Sequence, residues 1–160
     1  MAQSRMRVAQ EPAPSDSFLL MRRMLPVPRD EVFRAWTLPE HLRHWLCPLG
    51  YQVVESQVDL RVGGRYRIGM RAPNGDVVTT TGIYQVVQAP ERLVYTWRWD
   101  DPDALETLVS VEFRDLGQET ELVLRHERFA DTDRRDRHRE GWTGCLQNLD
   151  AYFASRSGGR

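Results

Sequence analysis

The chain has 160 residues, 41% of them hydrophobic and 28% charged, with a net charge of −1. That is one domain of ordinary globular composition, and its near-neutral balance excludes the basic excess that phosphate neutralisation requires. All 22 strongly basic residues are Arg and none is Lys, which excludes Schiff-base and lysine-nucleophile chemistry.

Residues 1–16 contain Pro12, Pro14 and small polar residues, and no apolar run follows Arg5 and Arg7. They read as a disordered tail rather than a secretory signal. Ser17 to Leu25 predicts a first strand, ended by Pro26 and Pro28. Val32, Phe33 and Trp36 then recur at helical spacing. Pro39 interrupts that helix and suits the first turn of a second, over Glu40 to Trp45.

From Val53 the period changes to two. Val53 to Leu60 predicts a strand, and Gly63-Gly64 a break. In Arg65 to Arg71, Tyr66, Ile68 and Met70 share one face. Pro73-Asn74-Gly75-Asp76 is a hairpin turn, because Asn-Gly readily takes positive φ. Val77 to Val87 is the next strand. Leu93, Tyr95, Trp97 and Trp99 alternate in the one after, and Thr107, Val109, Val111 and Phe113 in the next. Leu122, Leu124 and His126 share a face of the last strand. From Asp131 the chain is charged and helical, with Asp131, Thr132 and Asp133 as N-cap candidates. Trp142, Leu146, Leu149 and Phe153 form one apolar stripe, and His138 extends it by a turn. Residues 156–160 read as a second tail, leaving 17–155 as a single domain.

Strands segregated from helices and joined by hairpins mean α+β with an antiparallel sheet. Cys47 and Cys145 have no scaffold spacing, which points to a reducing cytoplasm, and no apolar run is long enough to span a membrane. His41, His44 and Cys47 have the spacing H-x-x-H-x-x-C, but no fourth zinc ligand is evident. No phosphate-binding or dinucleotide-binding glycine pattern occurs, so no cofactor is implied. The alternating Arg134, Arg135, Asp136, Arg137, Arg139 and Glu140 read as a solvated helix face rather than a nucleic-acid patch.

Several segments together resemble a known group. They are Pro28-x-x-x-Val32-Phe33-x-Ala35-Trp36-Thr37, Pro39-Glu40-His41-Leu42-x-x-Trp45, Asp59-Leu60-Arg61-x-Gly63-Gly64-x-Tyr66-Arg67, Pro90-Glu91-Arg92-Leu93-Val94-Tyr95-Thr96-Trp97, Thr120-x-Leu122-x-Leu124-x-His126-Glu127 and Glu140-Gly141-Trp142. In this order and spacing they resemble the SRPBCC superfamily (START-like, helix-grip proteins). Within it, they resemble bacterial proteins similar to the C-terminal domain of the activator of the heat-shock-protein-90 ATPase. The resemblance implies a curved seven-stranded sheet around a long C-terminal helix, with two short helices after the first strand and an internal cavity for a small apolar molecule.

Large rings suit such a cavity wall, since they supply area with few rotamers. Tyr66, Ile68, Tyr84, Tyr95, Trp97, Trp99, Phe113, Leu124 and Trp142 are the expected lining. His126, and His138 facing it from the helix, are the expected polar anchors, because histidine both donates and accepts. The expected function is binding of a small hydrophobic or amphipathic ligand by a cytoplasmic monomer or homodimer. Neither an acid pair nor a G-x-S-x-G nucleophile motif occurs, so the residues favour a binding module over an enzyme. The alternatives are a cyclase, dehydratase or hydrolase in the same cavity, and a chaperone-activator-like stress-response protein acting through its outer surface.

Overall fold

The computed structural model describes residues 18–158, so the expected N-terminal tail lies outside the described residues. The elements are β1 (Phe18–Leu25), α1 (Arg29–Thr37), α2 (Pro39–Leu42), β2 (Gln52–Val58), β3 (Arg65–Arg71), β4 (Val77–Gln88), β5 (Arg92–Trp99), β6 (Thr107–Asp115), β7 (Thr120–Glu127) and α3 (Thr132–Gly158). The seven strands form one sheet in the order β1-β7-β6-β5-β4-β3-β2. Every neighbouring pair is antiparallel. This is the α+β helix-grip architecture expected from the strand periods, with α3 packed on the inner face.

The alternation of side chains positions the core. On β3, Tyr66, Ile68 and Met70 are buried while Arg65, Arg67 and Arg71 are exposed. On β7, Leu122, Leu124 and His126 are all buried. Asp131 caps α3, its carboxylate accepting from the Arg134 N–H at 2.8 Å. The stripe Trp142, Leu146, Leu149 and Phe153 is buried against the sheet. An ion pair between Arg23 and Asp150, 2.6 Å apart, ties β1 to the far end of α3.

Three boundaries differ from the sequence expectation. β2 ends at Val58, because Asp59 and Arg61 turn the chain: the Asp59 N–H reaches back to the Arg65 carbonyl and the Arg61 N–H to the Asp59 carbonyl, each at 2.9 Å. The second helix stops at Leu42 rather than Trp45 and continues as tight turns, with Cys47 N–H on the Trp45 carbonyl at 2.8 Å. The His44 and Trp45 N–H groups bond three residues back, to the His41 and Leu42 carbonyls, and Pro48 bars the helical region only to Cys47. Finally, α3 runs to Gly158, past the boundary expected at 155. Nothing in Ala154-Ser155-Arg156-Ser157 breaks a helix.

Gly82 is required by a close approach. It pairs with Tyr66 across β3 and β4, and a Cβ there would sit 1.9 Å from the Thr96 carbonyl oxygen and 2.5 Å from the Tyr66 ring. The ring therefore lies over the glycine, and its hydroxyl donates to that same carbonyl at 2.5 Å. Gly82→Ala must displace backbone as well as a ring. We expect it to lower the free energy of urea unfolding by about 3 kcal/mol, the upper part of the usual range for overpacking. A loss below about 1 kcal/mol would show that the strand pair yields more easily than its geometry implies.

Candidate functional site

The inward rings divide into a filled end and an open end. At the filled end Tyr66, Tyr84 and Tyr95 pack against each other with centroids 5.3–5.8 Å apart. Trp36 enters from α1 and donates its indole N–H to the Tyr95 hydroxyl at 3.0 Å. It lies 4.6 Å from the Trp45 ring and 5.8 Å from Phe113. Burial pushes the Tyr66, Tyr84 and Tyr95 phenols above their ordinary range, so all three stay neutral. The space left among Trp36, Leu42, Leu46, Tyr66, Ile68, Tyr84, Tyr95 and Trp97 is about 10 Å³, at most the room for a water.

The open end holds a cavity of about 250 Å³, lined by Pro48, Tyr51, Met70, Val78, Trp97, Trp99, Arg137, His138, Gly141, Trp142 and Cys145. Of the residues expected from sequence, Trp97, Trp99, His138 and Trp142 are in its wall. Tyr66, Ile68, Tyr84 and Tyr95 border only the residual space at the filled end. Phe113, Leu124 and His126 are buried in the core behind the wall. Met70 was signalled by its shared face with Tyr66 and Ile68, and Gly141 by the Glu140-Gly141-Trp142 segment. Pro48 and Tyr51 carried no periodic signal. They reach the cavity because their loop rides on α3: a Cβ on Gly144 would lie 2.8 Å from the Leu49 nitrogen. Asn148 holds that loop by donating to the Cys47 carbonyl at 2.9 Å.

A directed hydrogen-bond chain stands behind the wall. Trp142 Nε1–H donates to His126 Nδ1 at 3.0 Å. An indole N–H can only donate, so Nδ1 is the bare nitrogen and Nε2 carries the proton. Nε2–H then donates to Thr107 Oγ1 at 2.7 Å, and Thr107 donates to the Trp97 carbonyl at 3.0 Å. His138 is fixed in the opposite tautomer. Its Nδ1–H donates to the Arg134 carbonyl at 2.8 Å, and its Nε2 accepts from Trp99 Nε1–H at 2.9 Å. The two imidazoles do meet, edge to face, 5.1 Å apart. All four of their nitrogens have partners, so neither ring offers the cavity a free lone pair for proton abstraction.

The other chemistry-bearing groups are dispersed. His41 Nδ1 lies 2.5 Å from the Tyr152 hydroxyl, His44 stacks on the Tyr152 ring at 5.0 Å, and Cys47 Sγ turns to the Tyr51 carbonyl at 3.4 Å. Among the described residues no three His, Cys, Asp or Glu side chains are grouped to hold a metal ion. Burial raises both the Cys47 and Cys145 thiols, which keeps them protonated and poorly nucleophilic.

Comparison with known proteins gives a consistent assignment. The family model for Activator of Hsp90 ATPase homolog 1-like protein matches residues 26–154. The AHSA1 protein of Silicibacter pomeroyi is 27% identical, with a TM-score of 0.80 over 88% of this chain and 99% of that one. A Chromobacterium violaceum protein is 28% identical, with a TM-score of 0.78 over 84% and 95%. A Nitrosomonas europaea protein, 24% identical, shares the fold with a TM-score of 0.78 over 91% and 99%. No curated protein matches the chain. Among the described residues no helix is long and apolar enough to cross a membrane.

The histidines make stability pH-dependent. Burial, then the neighbouring His138, holds His126 well below the ordinary imidazole range. Burial above all lowers His138, with Arg137 and Arg134 adding to it against the bond to the Arg134 carbonyl, and burial also lowers His41. Protonating His126 would place an N–H against the Trp142 N–H. Below about pH 6.5 the unfolded chain therefore binds protons that the folded chain refuses, and stability falls as pH drops. For His126, which is fully buried, the slope is about 1.4 kcal/mol per pH unit. Urea unfolding at pH 7.5, 6.5 and 5.5 should show the decline, and His126→Gln should flatten it by about that amount. An unchanged slope in the variant would mean that His126 protonates in the folded state.

Proposed function

The chain belongs to the Activator of Hsp90 ATPase homolog 1-like family, and on that premise we propose that it binds a small hydrophobic or amphipathic molecule in the cavity between β3–β5 and α3. The observation that carries this reading is the cavity of about 250 Å³ walled by Trp97, Trp99, Trp142, Met70 and Val78. Its volume is just under the ~300–1,000 Å³ typical of small-molecule sites, which suits a compound of one or two rings. Three indoles provide large, stiff apolar surface, so a flat guest loses little entropy to wall rearrangement. Arg137, at the rim, is already paired with Asp133 at 3.2 Å.

Two further features support a cavity over an outer docking face. The exposed large apolar side chains sit on β1, β2, β4 and four separate loops rather than on one element. The walls are also held in place independently of a guest, through the Trp142–His126 and Trp99–His138 bonds. A site held in this way binds without first ordering its side chains.

Gly141 allows a clean test. It lines the cavity from within α3, and nothing lies within 4 Å of where its Cβ would stand. Gly141→Ala should stabilise the protein by about 1 kcal/mol, since glycine is a poor helix former, and should leave the cavity usable. Gly141→Trp should place an indole in it, starting from a Cβ that meets nothing within 4 Å. The neutral fluorophore N-phenyl-1-naphthylamine should bind wild type and Gly141→Ala at one site per chain, with enhanced emission. It should bind Gly141→Trp at least tenfold more weakly, while circular dichroism stays unchanged. No enhancement in wild type, or equal binding by the tryptophan variant, would overturn the proposal.

A further inference from the structure

The cavity adjoins a second, larger space. Along the outer flank of α3 runs a groove of about 840 Å³, against about 250 Å³ for the cavity. Four residues line both: Pro48, Tyr51, Arg137 and Gly141. At 3.6 residues per turn, Gly141 lies on α3 between the inward His138, Trp142 and Cys145 and the flank that carries Arg137 and Gly144. The other spaces that share the cavity's rings hold about 10 Å³ against the tyrosines and about 50 Å³ beside Thr107 and Phe129, too little to take a chain.

Two glycines about one turn apart set the passage between these spaces. At Gly144 the 48–51 loop rests on the helix, since a Cβ there would stand 2.8 Å from the Leu49 nitrogen. At Gly141 nothing lies within 4 Å of the Cβ position. Loop and helix therefore touch at Gly144 and part at Gly141. The groove also differs from the cavity in chemistry. The cavity is walled by indoles, Met70 and Val78, whereas Asp133, Asp136, Arg139, Glu140, Thr143 and Gln147 line the groove. Charges of both signs stand there in water: Asp133 pairs with Arg137 at 3.2 Å and Asp136 with Arg135 at 3.0 Å, with Asp133, Asp136 and Arg137 exposed. An apolar chain laid over these groups would strip their hydration, while a polar chain can replace it.

We infer that the guest is a head-and-arm amphiphile: an apolar group of one or two rings fills the cavity, and a polar arm leaves over Gly141, between α3 and the 48–51 loop, to lie in the groove. This rests on the cavity being a ligand site and names the class of molecule it takes. The cavity sets the size of the head. The groove sets no tight limit on the arm, whose polar groups take the place of water along a surface of mixed charge. Affinity therefore comes mainly from burying the rings, and the arm adds length without a clash.

The test compares N-phenyl-1-naphthylamine with a derivative that carries a triethylene glycol chain at the para position of its phenyl ring. Fluorescence titration of wild type should give dissociation constants within about fivefold of each other, because the arm leaves the cavity. A third form, with a nitroxide at the end of the chain, locates the arm. In proton–nitrogen correlation spectra it should broaden the amides of Leu49, Glu140, Thr143 and Gly144 more than those of β6 or of α3 beyond Asp150. Gly141→Trp should abolish that broadening, which separates an arm anchored by its head from a chain that adheres to the groove alone. If the parent fluorophore binds, three results would each overturn this inference and leave the cavity reading standing: a greater loss of affinity on adding the arm, strongest broadening elsewhere, or broadening that persists in Gly141→Trp. If the parent fluorophore itself does not bind, both fail.

Discussion

The hydrogen bond from Trp142 to the fully buried His126 is the constraint on which the site depends. It joins the helix to the sheet through atoms with no freedom to exchange roles. The indole can only donate, so the imidazole must accept at Nδ1 and donate at Nε2. Thr107 must then accept and pass its own proton to the backbone of Trp97. The chain runs from α3 through β7 and β6 to β5, and it sets the height of Trp142 over the strand that carries Trp97 and Trp99. In a low-dielectric interior an unmade bond anywhere along it leaves a bare polar group, which makes the register of helix on sheet a matter of specificity as well as packing.

The position of the cavity follows from what fills the rest of the grip. A single helix cannot cover a seven-stranded sheet by itself. The deficit at one end is met by Trp36, which crosses from α1 to lie near-parallel to Trp142 at 6.1 Å and against Trp45 and Phe113. Two of the three tyrosines at that end also have partners for their polar tips, Tyr66 on the Thr96 carbonyl and Tyr95 on Trp36. At the other end the corresponding helix position is Gly141, which brings no side chain. The void is therefore a local shortage of side-chain volume near the start of α3, within an interior that is otherwise dense.

Most of the fold was legible because it is written in short-range periods. Alternation placed Tyr66, Ile68 and Met70 on one face of β3. Asn74-Gly75 marked a hairpin, with Gly75 at φ 96°, and the steps from Trp142 to Phe153 marked the buried stripe. The division of the aromatics into fillers and walls was not legible. Tyr95 and Trp97 are two residues apart on the same inner face, yet one is packed against Trp36 and the other borders the cavity. Nothing local separates them. The difference is made by α1, whose sequence shows that Trp36 is on an apolar face but not which ring it will meet 59 residues later. Pro48 and Tyr51 were hidden for the same reason, since a loop has no period and its approach depends on Gly144 and Asn148 of a distant helix.

The histidines show how complete hydrogen-bond accounting changes a functional reading. Their ability to donate and accept made His126 and His138 the natural polar anchors of an aromatic pocket. In the folded protein that same ability is used on the pocket's own tryptophans. Indoles are donors without acceptors, so an interior rich in tryptophan consumes acceptors, and the two imidazoles are the side chains that provide them for Trp99 and Trp142. Ala35 and Tyr95 provide for Trp45 and Trp36. Trp97 is two residues from Trp99 on the same strand, but the nearby acceptors are already taken: the Thr107 hydroxyl receives His126, and each imidazole receives another indole. The acceptors near this wall run out one short of the donors, and Trp97 Nε1–H is the indole donor left without a partner among the described residues.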